Sequence, residues 1–213
     1  PWPGSIAIAT LFEFCSWLNT NYEEAAKIDR EKLERQLAEL PLYQYAFLKT
    51  EELTFTERVR RICETECPMY NKSWACPPAV GTVDECRARC LAYPSVLVIS
   101  TIAEVHDIAS IDETLGTRAP HEALTHEVLA LVQQACGGDA MALSTESCAI
   151  CEKCAWPDAP CRFPEKMFPC VESYGILVTA LADRLDMNFF NGNLVTWYSL
   201  IFYRESGKNS VQG

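Results

Sequence analysis

Hydrophobic residues along the chain follow two spacings, one helical and one typical of buried strands. Behind a capping-box sequence at Thr20, Leu33 and Leu37 recur at helical intervals, and Pro41 ends the run. This spacing predicts an amphipathic helix with a charged outer face. The earlier apolar run 5–18 is too short to span a bilayer, and it predicts a core helix.

Short β-branched and aromatic runs alternate with helical patterns through the rest of the chain. The strand-like runs cover 43–49, 93–101, 140–144 and 194–203. The helical patterns cover 55–62, 83–91, 121–136 and 176–185, and 188–193 is turn-like. Because strands alternate with helices, the sequence predicts an α/β or α+β fold with helices flanking one sheet and cysteine-rich loops at its edge. We expect a helical N-terminal segment at 1–42 and a cysteine-rich α/β domain at 43–213.

Composition narrows the class of partner. The 213 residues include 29 acidic and 18 basic ones, which give a formal net charge of -11. Nucleic acid and anionic membrane surfaces would repel such a protein, so the sequence predicts neither as a partner and favours a basic or neutral protein. The apolar run 5–18 lacks the basic leader and cleavage site of a signal peptide. We therefore expect a cytoplasmic protein with no membrane span.

Ten of the twelve cysteines fall into two groups, at 63–90 and 148–170, instead of being spread along the chain. A chain of 213 residues can bury a substantial core, so it does not need disulfide bonds to hold the fold together. Without secretory signals, clustered cysteines indicate metal ligands or redox thiols. Cys15 and Cys136 stand alone in helical patterns, and we interpret them as core residues.

The second cysteine group places Cys148, Cys151 and Cys154 at every third position, and Cys161 follows. In ferredoxins, three thiolates at this spacing wrap around one corner of a [4Fe-4S] cluster, and a fourth thiolate completes the ligand set. Cys161 is predicted to be that fourth ligand, with Cys170 as the alternative, because the spacing departs from the ferredoxin run. Structural zinc sites usually use two separate Cys-x-x-Cys pairs, so this spacing favours iron-sulfur over zinc.

The first cysteine group contains Cys63, Cys67 and Cys76, followed by Cys86 and Cys90 on one predicted helix. Spacing alone does not identify the metal, so a second cluster, a zinc ion and unliganded core thiols all stay open. Cys86 is the first candidate for a fourth ligand, and Cys90 is the second. If neither binds, one iron lacks a protein thiolate and can take a substrate, which would separate an enzyme from an electron carrier.

Two long motifs carry a resemblance to a known family. The first covers 61–81 and contains Cys-Pro-Met-Tyr-Asn-Lys-Ser-Trp-Ala-Cys-Pro-Pro, with Glu85-Cys86 after it. The second covers 148–165 and 172–176, and the closing strand around Trp197 is similar too. These motifs resemble a cysteine-rich, predicted metal-binding family of anaerobic bacteria and archaea that is catalogued as a domain of unknown function.

The resemblance implies metal binding by seven cysteines of this chain, with Cys86 as an eighth candidate. The seven are Cys63, Cys67, Cys76, Cys148, Cys151, Cys154 and Cys161. Gly is usual in the family where this chain has Pro68, and Ser is common where it has Cys170. The resemblance therefore implies that Cys170 is not an obligatory ligand.

We therefore expect an iron-sulfur protein with one or two [4Fe-4S] clusters, which passes single electrons to a redox partner protein in the cytoplasm of an anaerobe. Two alternatives stay open. One is a redox enzyme or accessory protein with an open-iron cluster or an adjacent corrinoid-type cofactor. The other is a zinc-stabilised interaction module without redox chemistry.

Overall fold

The computed structural model describes residues 28–187 and 192–205, so the predicted core helix 5–18 and most of the predicted turn 188–193 lie outside the described residues. In chain order, the helices and strands are α1 (Arg30–Ala38), β1 (Gln44–Lys49), α2 (Glu57–Thr65), α3 (Val83–Leu91), β2 (Ser95–Glu104), α4 (Ile111–Gly116), α5 (Arg118–Cys136), β3 (Ala140–Leu143), α6 (Val178–Arg184) and β4 (Leu194–Tyr203). Short 3-10 turns occupy Thr50–Glu52 and Glu172–Tyr174.

One sheet organises the fold. Its strands lie in the order β1-β2-β4-β3, and all neighbouring strands are antiparallel. The longest pairing joins β2 and β4, from Ser95 opposite Tyr203 to Glu104 opposite Leu194. The predicted single sheet flanked by helices is confirmed, and its antiparallel pairing is typical of α+β proteins.

Both faces of the sheet are covered by hydrophobic cores. Successive side chains of a strand point to opposite faces, so each strand contributes to both cores. On one face, Leu97, Ile99 and Ile201 pack with residues of α1 and α5. On the other face, Val98 and Phe202 pack with residues of α3, α6 and the Glu172–Tyr174 turn. The second face therefore supports the segments that surround the first cysteine group.

The predicted amphipathic helix behind Thr20 is not continuous, because residues 28 and 29 are not helical and α1 starts only at Arg30. Asp29 caps its start, since the Asp29 carboxylate accepts the backbone N–H of Lys32 at 2.9 Å. Leu33 and Leu37 are buried, as their spacing predicts. Within 28–187 and 192–205, no helix is long and apolar enough to cross a membrane. The division of the chain at residue 42 stays a prediction.

Some helices start or end at other residues than the hydrophobic spacing predicts, because capping side chains set their first turns. α2 starts at Glu57 because the Thr56 hydroxyl caps its first turn, and it runs on to Thr65, past the predicted end at residue 62. The hydrophobic spacing did not predict the short helix α4, which the Ser110 hydroxyl caps. α5 ends as predicted, at Gly137 with a φ of 83°.

A polar network is buried between α5 and the sheet. His121 is 1% exposed. Its Nδ1 lies 2.8 Å from the hydroxyl oxygen of Thr101, and its Nε2 lies 2.8 Å from that of Ser199. Ser199 also hydrogen-bonds to Thr125 and Ser144. Burial lowers the pKa of His121 to about 4, so this histidine is a neutral core residue at pH 7.

We expect His121 to make the stability of the protein depend on pH. Its pKa is near 6.5 in the unfolded chain, so between about pH 6.5 and pH 4 the unfolded chain binds a proton that the folded chain does not. The free energy of unfolding therefore falls as the pH falls, by about 2 kcal/mol between about pH 7 and pH 5, at 1.36 kcal/mol per pKa unit. Urea unfolding of the wild type and of His121→Gln at both pH values measures this contribution. The same pH dependence in both proteins would contradict the assignment.

Candidate metal centre

The four cysteines of the second group converge on one small pocket. They lie in the long loop between β3 and the Glu172–Tyr174 turn, and each is half-buried. The pocket is lined by Ser73, Trp74, Cys148, Ile150, Cys151, Cys154, Ala155, Cys161, Arg162, Phe163 and Met167. Cys161 faces this pocket with the other three cysteines, whereas Cys170 does not line it.

Hydrogen-bond donors surround the sulfur of Cys154. Burial raises the pKa of this thiol, but hydrogen bonds from the backbone N–H groups of Trp156 and Trp74 and from the side chain of Ser73 outweigh burial, so the pKa is lowered. The pKa of Cys148 is raised instead, mainly by burial, and the charges of two other cysteines of the group add to the increase. The loop thus stabilises an anionic sulfur at one corner of the pocket, as metal-binding and redox thiolates require.

Two tryptophans hold the cysteine loops together. The rings of Trp74 and Trp156 meet edge to face, with centroids 4.7 Å apart and planes at 79°. Nε1 of Trp74 donates to the carbonyl oxygen of Ala159 at 3.0 Å, and Nε1 of Trp156 donates to Oδ1 of Asn71 at 2.9 Å. Each loop therefore anchors a tryptophan of the other, and both indole N–H groups are satisfied.

The cysteines of the first group lie close enough for their charges to interact. Cys63 is in the last turn of α2, Cys67 follows the end of that helix, and Cys76 lies in the turns before α3. Burial raises the pKa of Cys63 to about 11 and the pKa of Cys76 to about 12, and the charge of Cys67 adds to both increases. Three thiols that oppose one another's ionisation become thiolates most readily when a cation relieves their repulsion.

Cys170 lies beside the first group. Its backbone N–H donates to the carbonyl oxygen of Ala75 at 3.1 Å, and its Sγ lies 2.9 Å from Oε2 of Glu172. Burial raises the pKa of the Cys170 thiol well above its usual range, and the charges of Glu172 and Cys76 add to the increase. The Sγ of Cys63 lies 3.9 Å from the carbonyl oxygen of Glu172. Glu172 therefore contacts both Cys170 and Cys63, and Cys170 lies next to the residue that precedes Cys76.

Cys86, the predicted fourth ligand of the first group, faces two arginines. Its Sγ lies 3.1 Å from Nη2 of Arg89 and 3.7 Å from Nη2 of Arg60. Its thiol also lies 3.4 Å from the carbonyl oxygen of Val80. Burial raises the pKa of Cys86, and the two arginines oppose the increase. Cys90 packs with Cys86 in the same hydrophobic core. Metal binding by Cys86 stays a prediction.

The two cysteine groups are direct neighbours. An open groove of about 640 Å³ is lined by residues of both loops, Met69 and Cys148 among them, but by none of the first-group cysteines Cys63, Cys67 and Cys76. Arg118 lines the same groove, and its Nη1 donates to the carbonyl oxygen of Ser147. The side chain of Ser147 hydrogen-bonds to Cys76. Because Cys148 is the next residue, a cysteine of the first group and one of the second are separated by Ser147 alone.

None of the described cysteines forms a disulfide bond. In the described part of the chain, no three cysteine, histidine, aspartate or glutamate side chains are arranged to hold a metal ion. The four thiols that line the second-group pocket are donors of the kind that soft metal ions prefer.

A thiol-lined pocket on an antiparallel α+β fold, with further thiols beside it, has the features of a metal-binding protein. The family model described as "Predicted metal-binding protein (DUF2284)" matches residues 46–203. The chain belongs to this family, a domain of unknown function, and the predicted resemblance is confirmed. Comparisons with curated proteins and with solved structures found no match. The iron-sulfur, zinc and corrinoid assignments, the redox partner, the anaerobic source and the cytoplasmic location stay predictions.

The sequence did not point to several polar residues of the site. Ser73 hydrogen-bonds to Cys154, and Ser147 hydrogen-bonds to Cys76. Each serine belongs to the loop of the other cysteine group, so only the fold brings these pairs together. Arg60 is the exception, since it stands three residues before Cys63 on α2, and helical neighbours three residues apart share a face. This spacing is a signal that could have identified Arg60 as a neighbour of the first site.

Proposed function

We propose that this protein is an electron carrier with two [4Fe-4S] clusters, one in the second-group pocket and one at the first cysteine group. The convergence of Cys148, Cys151, Cys154 and Cys161 on one pocket is the observation that carries the proposal. A [4Fe-4S] cluster supplies one-electron redox chemistry when it is bound. The residues of this chain hold it, limit its contact with water and set its reduction potential.

The surroundings of the pocket support a redox role. N–H donors at a cluster sulfur stabilise negative charge there and are among the features that tune the reduction potential. Cys154 has such donors in the backbone of Trp74 and Trp156. Trp74 and Phe163 line the same pocket, and apolar residues beside a cluster limit its contact with solvent.

The closeness of the two cysteine groups supports transfer of electrons between two clusters. Ser147 hydrogen-bonds to Cys76 of the first group and is bonded covalently to Cys148 of the second. One cluster can then receive an electron from a redox partner protein and the other can pass it on. With a net charge of -11, the protein is suited to a partner that presents a basic surface.

Metal analysis after anaerobic purification tests this proposal. We expect about eight irons and about eight sulfides per chain, as two cubane clusters require, and a paramagnetic signal that develops on reduction with dithionite. About four irons would support a single cluster. Zinc without iron would contradict both redox assignments and favour the interaction module.

A potentiometric titration tests the carrier role separately. Each cluster should accept and release one electron reversibly, with the iron content unchanged after several cycles. A protein that holds its iron but shows no reversible reduction would not be an electron carrier.

A further inference from the structure

We infer that Cys170 is the fourth thiolate ligand of the first cluster, and that Cys86 is not a ligand but a thiol held by two arginines. This inference rests on the proposed function, because it assigns a ligand to one of the two proposed clusters. It bears on the difference between a carrier and an enzyme. A first cluster with four thiolates has no iron open to a substrate.

The backbone around Cys170 holds it against the first cysteine loop. An isolated parallel bridge joins Cys170 to Ser144, the residue that follows β3, since the N–H of Ser144 donates to the carbonyl oxygen of Pro169 at 3.0 Å and the N–H of Val171 donates to that of Ser144 at 2.9 Å. The N–H of Cys170 points the other way, to the carbonyl oxygen of Ala75. Cys170 therefore lies between the sheet and the residue that precedes Cys76.

Contacts of Glu172 connect Cys170 to the first group. The Sγ of Cys170 lies 2.9 Å from Oε2 of Glu172, and the Sγ of Cys63 lies 3.9 Å from the carbonyl oxygen of the same residue. The backbone N–H of Cys170 is bonded to Ala75, the residue before Cys76. Cys170 therefore lies near both Cys63 and Cys76, although it is far from them in sequence.

Cys86 has partners of a different kind. Its Sγ is within 3.1 Å of Nη2 of Arg89, and the guanidinium of Arg60 approaches the same sulfur. Arg60 also donates to the carbonyl oxygens of Gly81 and Ser173, so it ties the start of α3 to the Glu172–Tyr174 turn. These contacts give Cys86 a structural role that needs no metal, and its side chain is fully buried.

Glu172 is the competing donor for the same iron, because its carboxylate lies next to the Cys170 thiol. Iron-sulfur clusters prefer soft thiolate ligands to hard carboxylate oxygens. The resemblance to the family implied that Cys170 is not obligatory, yet the fold of this chain brings its thiol to the first site. The thiol is therefore the ligand, and the carboxylate is its neighbour.

Three variants of the full chain, purified without oxygen, test the inference: Cys170→Ala, Cys86→Ala and Glu172→Gln. Iron and sulfide analysis and electron paramagnetic resonance before and after reduction are the readouts. We expect Cys170→Ala either to fall from about eight to about four irons or to show the signal of an oxidised three-iron cluster. Cys86→Ala and Glu172→Gln should keep the iron content and spectrum of the wild type.

Cys170→Ser guards against a simple loss of folding, because its side chain has nearly the size of the wild-type thiol. Unchanged circular dichroism together with loss of the first cluster in this variant would support the inference. Full iron content and an unchanged spectrum in both Cys170 variants would overturn it. Loss of iron in Cys86→Ala, or in Glu172→Gln but not in Cys170→Ala, would also overturn it.

The failure of the proposed function would look different. A wild type that holds zinc or no metal contradicts the proposed function and the inference together. A wild type with about four irons, all lost in Cys148→Ala, would overturn both the two-cluster proposal and the inference. A wild type with about eight irons, all kept in Cys170→Ala, would overturn the inference alone.

Discussion

Replacing Cys154 by alanine is expected to remove the second cluster, about four of about eight irons, and to leave the first cluster in place. Cys154 is the cysteine whose sulfur receives hydrogen bonds from Trp74, Trp156 and Ser73, and it lines the pocket with the other three cysteines of its group. Without this thiolate, one iron of the cluster loses its protein ligand. Iron and sulfide analysis and the spectrum of the reduced protein measure the loss.

Cys136→Ala is the matched control for this experiment. Cys136 is the last residue of α5 and is buried in the core, and its thiol interacts with the carbonyl oxygens of Gln133 and Asp139. Its replacement should leave the iron content unchanged. If Cys154→Ala kept all of its iron, or if Cys136→Ala lost as much, the assignment of the second pocket would be wrong.

The second large effect is expected for Arg60→Met. Arg60 is 5% exposed and donates to the carbonyl oxygens of Gly81 and Ser173. Methionine fills much of the space but leaves both carbonyls without this donor. A hydrogen bond to a charged group contributes about 1.5 to 3 kcal/mol, so the loss of two such bonds should lower the free energy of unfolding by about 3 kcal/mol or more. We expect the lower end of this range, because the buried Nε of Arg60 has no hydrogen-bond partner and its removal costs nothing.

The same substitution should also weaken the first cluster. Burial and nearby charges raise the pKa of Cys63, and the guanidinium of Arg60 opposes that increase. Urea unfolding and iron analysis of Arg60→Met measure the two effects. Arg61→Met is the control, since Arg61 is exposed on the same helix. Equal stability and equal iron content in both variants would show that Arg60 does not organise the site.

The sequence predicted the sheet well because hydrophobic periodicity reports burial directly. β4 spans Leu194–Tyr203 as predicted, and β2 was recognised from its β-branched run, although it extends to Glu104. α3 also matches its predicted bounds, which its capping box at Thr82 and Glu85 explains. Local signals of this kind depend on neighbours within a few residues.

Local signals of this kind could not predict the antiparallel pairing of the strands. The order β1-β2-β4-β3 brings together strands that are distant in sequence, and no local pattern specifies which strands pair. His121 illustrates the same limit. The sequence favours a surface or capping role for this residue, which is wrong because His121 is buried and the sheet supplies the Thr101 and Ser199 hydroxyls that satisfy it.

The sequence by itself determined the cysteine spacing of the second group, and the tertiary structure places Cys148, Cys151, Cys154 and Cys161 on one pocket. Such a set is readable because its members lie within one loop. The tertiary structure alone decided the surroundings of the first group. It placed Arg60 and Arg89 against Cys86, and it placed Cys170 beside Ala75, the residue before Cys76. These contacts join segments far apart along the chain, and sheet pairing and core packing bring them together.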